Sequence, residues 1–309
     1  MAQLKDLVEK EVEALRRHVS FENIGIVAES DKSHFRMNSS HRGSSASLIK
    51  AFYAAALYQH FLMQGGLPEN TQIDVNPSLA AGSPSSLVAG DSVPLSRLLE
   101  EMVHTSCSFA ANLIIGCLGH DFINKFLEDS GFANTSSRAL FRRHPDFGPG
   151  NIIDGEYAAN CTSAGDVCDL LKMVFTDKLY PQDSPNYFTL NPHHRMRQLL
   201  EHHSNIQGFP HPLAGYLQDG KFIYELPLEN VAIGQKFGIQ FYDFGVCGYV
   251  YPIRENGTRY VYFISILING MREPLKDAFG RATPALQRIN RFVSSLSRKV
   301  YDRFIGNQL

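Results

Sequence analysis

At 309 residues, 44% of them hydrophobic and 19% charged, the chain is long enough to bury a sizeable core in one large domain or two lobes. A formal net charge of -2 gives no electrostatic reason to expect nucleic acid or another polyanion as a partner. No apolar run reaches the roughly 18 residues that span a bilayer, so no membrane partner is expected either. The opening stretch Met1–Lys10 is charged and amphipathic and lacks the apolar centre of a signal peptide, so the chain as it stands reads as cytoplasmic. A secreted protein trimmed of its leader would read the same.

In chain order, Leu4, Leu7, Val8, Val12 and Leu15 recur at helical spacing and predict an amphipathic helix over 3–18. Ile24–Ala28 predicts a strand, turned back by Asp31-Lys32-Ser33 into His34–Met37. The Gly- and Ser-rich loop from His41 then feeds an Ala-rich helix that runs to about Met63 and stops at Gly65-Gly66. Residues 67–94 are rich in loop formers, and helices are predicted over 94–103, 109–115 and 120–129. Residues 140–161 carry Pro145, Gly148, Pro149, Gly150 and Gly155 without periodicity, a length of irregular chain that is usually functional or disordered. Ser163 is placed to cap a helix over Ala164–Phe175, and a further helical stretch runs from His193 to His203. Beyond residue 230 the texture becomes that of strands, at Val231–Lys236, Gly245–Tyr251 and Tyr260–Ile268, with Asn256-Gly257 marking the last hairpin. A helix over Leu286–Phe304 closes the chain. Strands at both ends and helices between them predict an α/β (α+β) fold in which the termini build one sheet and a helical lobe is inserted.

The cysteines, Cys107, Cys117, Cys161, Cys168 and Cys247, are odd in number and form no C-x-x-C pair, so reduced and mostly buried thiols are expected. His193-His194 and His202-His203 lack acidic or cysteine neighbours at ligand spacing and read as a solvated helix face. No metal and no cofactor is expected.

Three stretches carry chemistry. Ser47 and Lys50 stand three apart at the start of the Ala-rich helix, where i and i+3 share a face. A Lys buried among apolar residues can lose its proton and serve as the base that serine needs to become a nucleophile. The helix N-terminus adds N–H groups that would steady an oxyanion. The ordinary reading of such a pair is a capping Ser and a Lys that reaches to solvent, and it is the only Ser-x-x-Lys in the chain. The second stretch, Ser106-Cys107-Ser108, lies at a helix–helix junction ahead of Ala110-Ala111-Asn112-Leu113, where the two serines would ordinarily be caps. The third, Lys236-Phe237-Gly238, falls at the end of a strand, where a Lys ordinarily faces solvent.

The order of these elements, with the long loop and the Thr162-Ser163 helix start between them, resembles the class A β-lactamases and the wider penicillin-recognising serine enzymes, whose pattern is Ser-x-x-Lys, Ser-Asp-Asn and Lys-Thr-Gly. The resemblance spans nearly the whole chain. It implies a β-lactamase/transpeptidase-like fold: an antiparallel sheet from both chain ends, flanked by helices, with an all-α lobe inserted. The expected division is an α/β lobe of 1–40 and 225–309 and an all-α lobe of 41–224, one folding unit with the cleft between. The resemblance further implies Ser47 as the acylated nucleophile, Lys50 as its base, and Ser106 as the relay to the leaving nitrogen. Lys236 would attract a carboxylate, and the N–H groups of Ser47 and Ile239 would form the oxyanion hole. Lys50 and Lys236 beside one serine should lower each other's pKa.

The departures are equally specific. Ser108 stands where the family has Asn, which removes an amide donor to the substrate, and Phe237 stands where it has Thr, which removes a hydroxyl and adds bulk beside Gly238. The family's Glu-x-x-Leu-Asn, which activates the deacylating water, is missing; Asp146 is the nearby carboxylate, with Asp154 and Glu156 beyond it. The expectation is a serine hydrolase that forms an acyl-enzyme at a lactam, amide or ester carbonyl of a small molecule and is a poor or atypical β-lactamase. A cytosolic acyltransferase, esterase or glutaminase-type amidase, and a non-catalytic binding protein that keeps the cleft, are the alternatives. The oligomeric state is not legible.

Overall fold

The computed structural model describes residues 2–30, 33–81, 85–141, 152–153, 156–157, 160–201, 212–218, 221–226, 231–240, 242–252, 260–277 and 281–304. Helix α1 (Ala2–Arg16) leads into strands β1 (Phe21–Ser30) and β2 (His34–Met37). Helices α2 (Ile49–Gln64), α3 (Leu95–Val103), α4 (Ser108–Leu118), α5 (His120–Asp129), α6 (Ala164–Phe175) and α7 (Pro192–Glu201) follow. Strands β3 (Val231–Ile239), β4 (Phe244–Pro252) and β5 (Tyr262–Met271) and helix α8 (Pro284–Phe304) close the chain. The main sheet has five strands in the order β3-β4-β5-β1-β2, and every neighbouring pair is antiparallel. Gly25 of β1 lies opposite Leu267 of β5, so the two chain ends are hydrogen-bonded to each other as the sequence predicted.

The sheet separates two cores. On one face Ile24, Ile26, Val246, Val250, Ile264, Ile266 and Ile268 pack with α1 and α8. On the other, Val27, Cys247, Tyr249, Phe263 and Leu267 join the apolar faces of the middle helices. Because side chains alternate across a strand and both faces are covered, β4 and β5 read as continuous apolar runs and show no alternation.

Helix α2 is the axis of the second core. It is apolar all round, and Ile49 to Tyr58 are all buried, which is the pattern of a helix surrounded by protein. Gly65, at φ 80°, ends it, its N–H donating to Phe61 O at 2.8 Å. Helix α6 begins as expected, with the Ser163 hydroxyl accepting from Asp166 N at 3.1 Å.

Two expectations are corrected. The hairpin Gly215–Gln218 with Lys221–Tyr224 was assigned to the helical lobe, yet Leu213, Ala214 and Leu226 around it are buried with α1 and α8, so it packs with the α/β lobe. His193 is not on a solvated face: it is fully buried, its Nε2 accepts from the N–H groups of Leu179 and Tyr180 at 3.0 and 3.2 Å, and only His194 is exposed. Two backbone donors fix the imidazole in its neutral form, and burial lowers its pKa to about 4. The cysteines are free and mostly buried, as expected, with Cys117 the exposed one. The Asn256-Gly257 turn and His202-His203 lie outside the described residues.

Candidate active site

Four parts of the chain meet at the head of α2: the turn before it, the junction between α3 and α4, the backbone at Phe141, and strand β3. Ser47 lies in the turn just ahead of Ile49. Its predecessor Ala46 has φ 44°, and Ser106 at the α3–α4 junction has φ 56°. The other non-glycine residues with positive φ among those described are Asn38, Asp177 and Asn191, types that tolerate the left-handed region. Ala46 and Ser106 do not have that tolerance, and both of these strained positions fall in this one site.

Lys50, one turn into α2, is fully buried. Its Nζ lies 3.2 Å from Ser47 Oγ, 2.5 Å from Ser106 O, 3.4 Å from Ser106 Oγ and 3.2 Å from Ser108 Oγ. Burial, then repulsion from Lys236, holds its pKa well below the ordinary lysine value, against a small opposing effect of Cys107. A neutral amine has two N–H donors and one lone pair. With Ser106 O and Ser108 Oγ as acceptors, the lone pair remains for the Ser47 hydroxyl to donate into. Ser106 and Ser108 are not the caps of α4: Cys107 is, its Sγ accepting from Ala110 N at 3.3 Å, which leaves both hydroxyls facing Lys50.

Lys236 approaches from the sheet. It is 1% exposed, and its Nζ donates to Ser106 Oγ at 3.1 Å and to Phe237 O at 2.9 Å. Burial pushes its pKa down to about 8, with Cys247 opposing slightly. The Ser106 hydroxyl is therefore shared between two buried lysines. Among the described residues neither lysine hydrogen-bonds or ion-pairs with a carboxylate.

β3 is an edge strand, and its register fixes what it presents. Gln240 N donates to Asp243 O at 2.8 Å across the β3–β4 turn, so the alternation of an antiparallel pair turns Gly238 and Lys236 toward β4. The same alternation turns the N–H and C=O groups of Phe237 and Ile239 to the open edge, where Phe237 O meets Lys236 Nζ. Ser47 lies over β3 at Gly238: a Cβ there would stand 2.3 Å from Ser47 N and 3.0 Å from Ala46 Cβ. Glycine is thus required at 238 for the strand to reach the serine. Phe237 is half-buried against the core of the opposite face, its ring centroid 5.4 Å from Lys236 Nζ.

Ser47, Lys50, Ser106, Ser108, Lys236, Gly238 and the Ile239 backbone are therefore brought together. Asp146 and Asp154 lie outside the described residues, as does the side chain of Glu156 in the short strand Glu156–Tyr157. What the sequence reading missed is Phe141. Its ring centroid lies 4.6 Å from Lys50 Nζ, and its backbone is clamped by Asn112, whose amide accepts from Phe141 N and donates to Phe141 O, each at 2.8 Å. The Asn in the Ala-Ala-Asn-Leu tail was the available signal.

A comparison with curated protein sequences found no match. Among solved structures, a β-lactamase of Sphaerobacter thermophilus superposes with a TM-score of 0.72 at 17% identity, covering 96% of each chain. The class A β-lactamase of Mycobacterium abscessus superposes at 0.70 with 16% identity, over 97% of this chain and 99% of that one. A mutant of PBP-A, solved as an acyl-enzyme complex with penicillin G, superposes at 0.68 with 18% identity over 99% and 97%. These likenesses establish the fold. A sequence profile described as the beta-lactamase enzyme family matches residues 2–304, and the chain belongs to that family.

Proposed function

We propose that this chain is a serine acyl-transfer enzyme that opens a lactam, amide or ester carbonyl of a small molecule through an acyl-enzyme on Ser47, and that it turns over β-lactams slowly. The observation that carries the reading is the fully buried Lys50 amine 3.2 Å from Ser47 Oγ, with no carboxylate beside it among the described residues. Lys50 takes the Ser47 proton as Oγ attacks the carbonyl carbon. The Ser47 and Ile239 N–H groups hold the oxygen as it becomes an oxyanion. The Ser106 hydroxyl, which accepts from Lys236 at 3.1 Å, passes its proton to the leaving nitrogen or oxygen and is reprotonated from Lys50. Lys236, charged below its pKa of about 8, supplies the positive potential that favours an anionic substrate group.

Two positions depart from the Ser-Asp-Asn and Lys-Thr-Gly pattern. Ser108 offers Lys50 an acceptor at 3.2 Å but has no amide to hold an acylamide, and Phe237 presents no hydroxyl beside Lys236. Both favour a substrate other than a typical penicillin, and esterase, amidase or acyltransferase activity on a small metabolite is the second reading.

The test is labelling with a fluorescent penicillin and with small activated esters, beside Ser47→Ala, while nitrocefin hydrolysis is followed. A label lost in Ser47→Ala with hydrolysis far below that of an efficient β-lactamase supports the proposal. Labelling that survives the substitution, or none with any probe, refutes it.

A further inference from the structure

The two N–H groups assigned to the oxyanion belong to separate parts of the chain, the turn ahead of α2 and the end of β3. They act together only while those parts keep a fixed spacing, and a shift of about 1 Å can cost about 10²-fold in rate. The turn does not hold itself. Ala46 sits at φ 44°, a conformation that persists only where the surroundings impose it. On one side Gly43 and Ser44 pair with Thr162 and Cys161, and Asn160 O accepts from Ser45 N and Ser45 Oγ at 3.0 and 2.9 Å.

On the other side four residues from three segments close a ring of hydrogen bonds. Ser44 Oγ donates to Gln240 Oε1 at 2.8 Å, and Gln240 N donates to Asp243 O at 2.8 Å. Asp243 Oδ1 accepts from Asn269 Nδ2 at 3.1 Å, and the same nitrogen donates to Ser44 O at 3.2 Å. Ser44 Oγ also accepts from Ala46 N at 3.5 Å, so the ring reaches the strained residue itself. Gln240 follows Ile239 and Ser44 lies just ahead of Ser47, so the ring ties one arm of the oxyanion site to the other.

Asn269 is 1% exposed, and a Cβ on Gly43 would run into its Oδ1. That oxygen has no hydrogen-bond partner among the described residues, and a buried acceptor left so is costly. The amide is therefore placed for its two hydrogens: turned over, it would aim an oxygen at Ser44 O and Asp243 Oδ1 together. Asp243 fixes that orientation. It is buried, its Oδ1 also accepts from Gly270 N at 3.1 Å, and no cation pairs with it among the described residues. An amide oxygen can take its place without stranding a charge.

We propose that Ser44 and Asn269, with Asp243 setting the Asn269 amide, are positioning residues that hold the Ser47 turn at its working distance from β3. The inference rests on acylation of Ser47 as proposed above. All three side chains are buried, and they act through the Ser47 and Ile239 N–H groups on the oxyanion that forms as Oγ bonds to the carbonyl carbon. They therefore govern the rate of acylation and not the affinity for the reagent.

The experiment reacts the full chain with a fluorescent penicillin or an activated ester over a range of concentrations. It separates the acylation rate at saturation from the half-saturating concentration. Asn269→Leu and Ser44→Ala should each lower the saturating rate at least ~10-fold, with half-saturation within about threefold of the wild type. Asp243→Leu should do the same, while Asp243→Asn, which keeps the acceptor, should stay within about fivefold of the wild-type rate. Glu29→Gln, which disturbs an ion pair outside the ring, serves as the control for lost stability and should leave the rate within about fivefold. Ser44→Ala and Asp243→Asn decide the matter where a leucine variant does not fold. Smaller falls in the ring variants, a loss confined to half-saturation, or a larger fall in Glu29→Gln or Asp243→Asn overturns the inference and leaves Ser47 acylation intact. No adduct on the wild type with either reagent overturns the Ser47 reading itself.

Discussion

Replacing Lys236 by Met should make the protein more stable and less active. The side chain is 1% exposed, and burial lowers its pKa from 10.5 to about 8, so at pH 7 it is charged in both the folded and the unfolded chain. That drop, from 10.5 to about 8, corresponds to a cost of about 3 kcal/mol for holding the ammonium inside. The folded value is the lower one, so between about 8 and 10.5 the unfolded chain binds more protons and stability rises with pH. The cost is therefore full below about pH 8 and has gone above 10.5. Methionine fills the same space but cannot donate to Ser106 Oγ or Phe237 O, which offsets the gain by about 1–2 kcal/mol. A net gain of about 1–2 kcal/mol at pH 7 raises the melting temperature by about 2–3 °C for a chain of this size. The advantage should vanish by pH 10.5, while Ser47 acylation at pH 7 falls by at least ~100-fold. Thermal unfolding at both pH values and the acylation rate are the assays. A variant that melts lower than the wild type by the same margin at pH 7 and pH 10.5 would refute the claim that the buried charge opposes folding.

Gly238→Ala should reduce acylation by at least ~100-fold with the fold retained by circular dichroism, because the new Cβ displaces β3 from Ser47 N and opens the oxyanion hole; acylation within fivefold of wild type contradicts that geometry. The acylation rate should fall above pH 8 as Lys236 loses its charge, and fall on acidification as Lys50, held below the ordinary lysine value, takes up a proton. In Lys236→Arg the alkaline limb should disappear, and an unchanged limb would assign it to another group. Glu29, buried under Arg36 at 2.6 Å and Lys172 at 3.0 Å, should cost about 1–3 kcal/mol when changed to Gln, because both cations left behind reach solvent and Arg36 keeps Asp169. Burial raises its carboxyl, but these two cations outweigh burial and hold the pKa below 4.5, so the stabilisation is full above that value and is lost as the pH falls through the folded pKa. Chemical denaturation at pH 7 and pH 3 should show the gap between Glu29→Gln and wild type closing.

The fold was legible because its pieces are local. The β3–β5 runs, the Ser163 cap and the Gly65 stop each follow from a few adjacent residues, and strands at both ends leave one way to close the sheet. Ser47 and Lys50 were legible because their i, i+3 spacing has a chemical reason; Ser106 and Lys236 were legible only through the resemblance, since alone they read as a cap and a solvent-facing strand end. Phe141 was not, because its position is set by Asn112, 29 residues away in sequence, and a lone Phe at the start of an irregular loop has no pattern of its own. His193 misled for a similar reason: its burial comes from the Leu179–Tyr180 backbone folding over α7, a tertiary event that helical periodicity does not report. The hairpin around residues 215–224 was misassigned because composition cannot say which of two cores it joins.

The central claim, that Ser47 is acylated with Lys50 as its base, is tested most directly by digesting the probe-treated protein and locating the added mass. The account predicts one modified peptide, with the acyl group on Ser47, and its loss in both Ser47→Ala and Lys50→Met while each variant still unfolds cooperatively. Mass on another residue, or undiminished acylation of Ser47 in Lys50→Met, would contradict it.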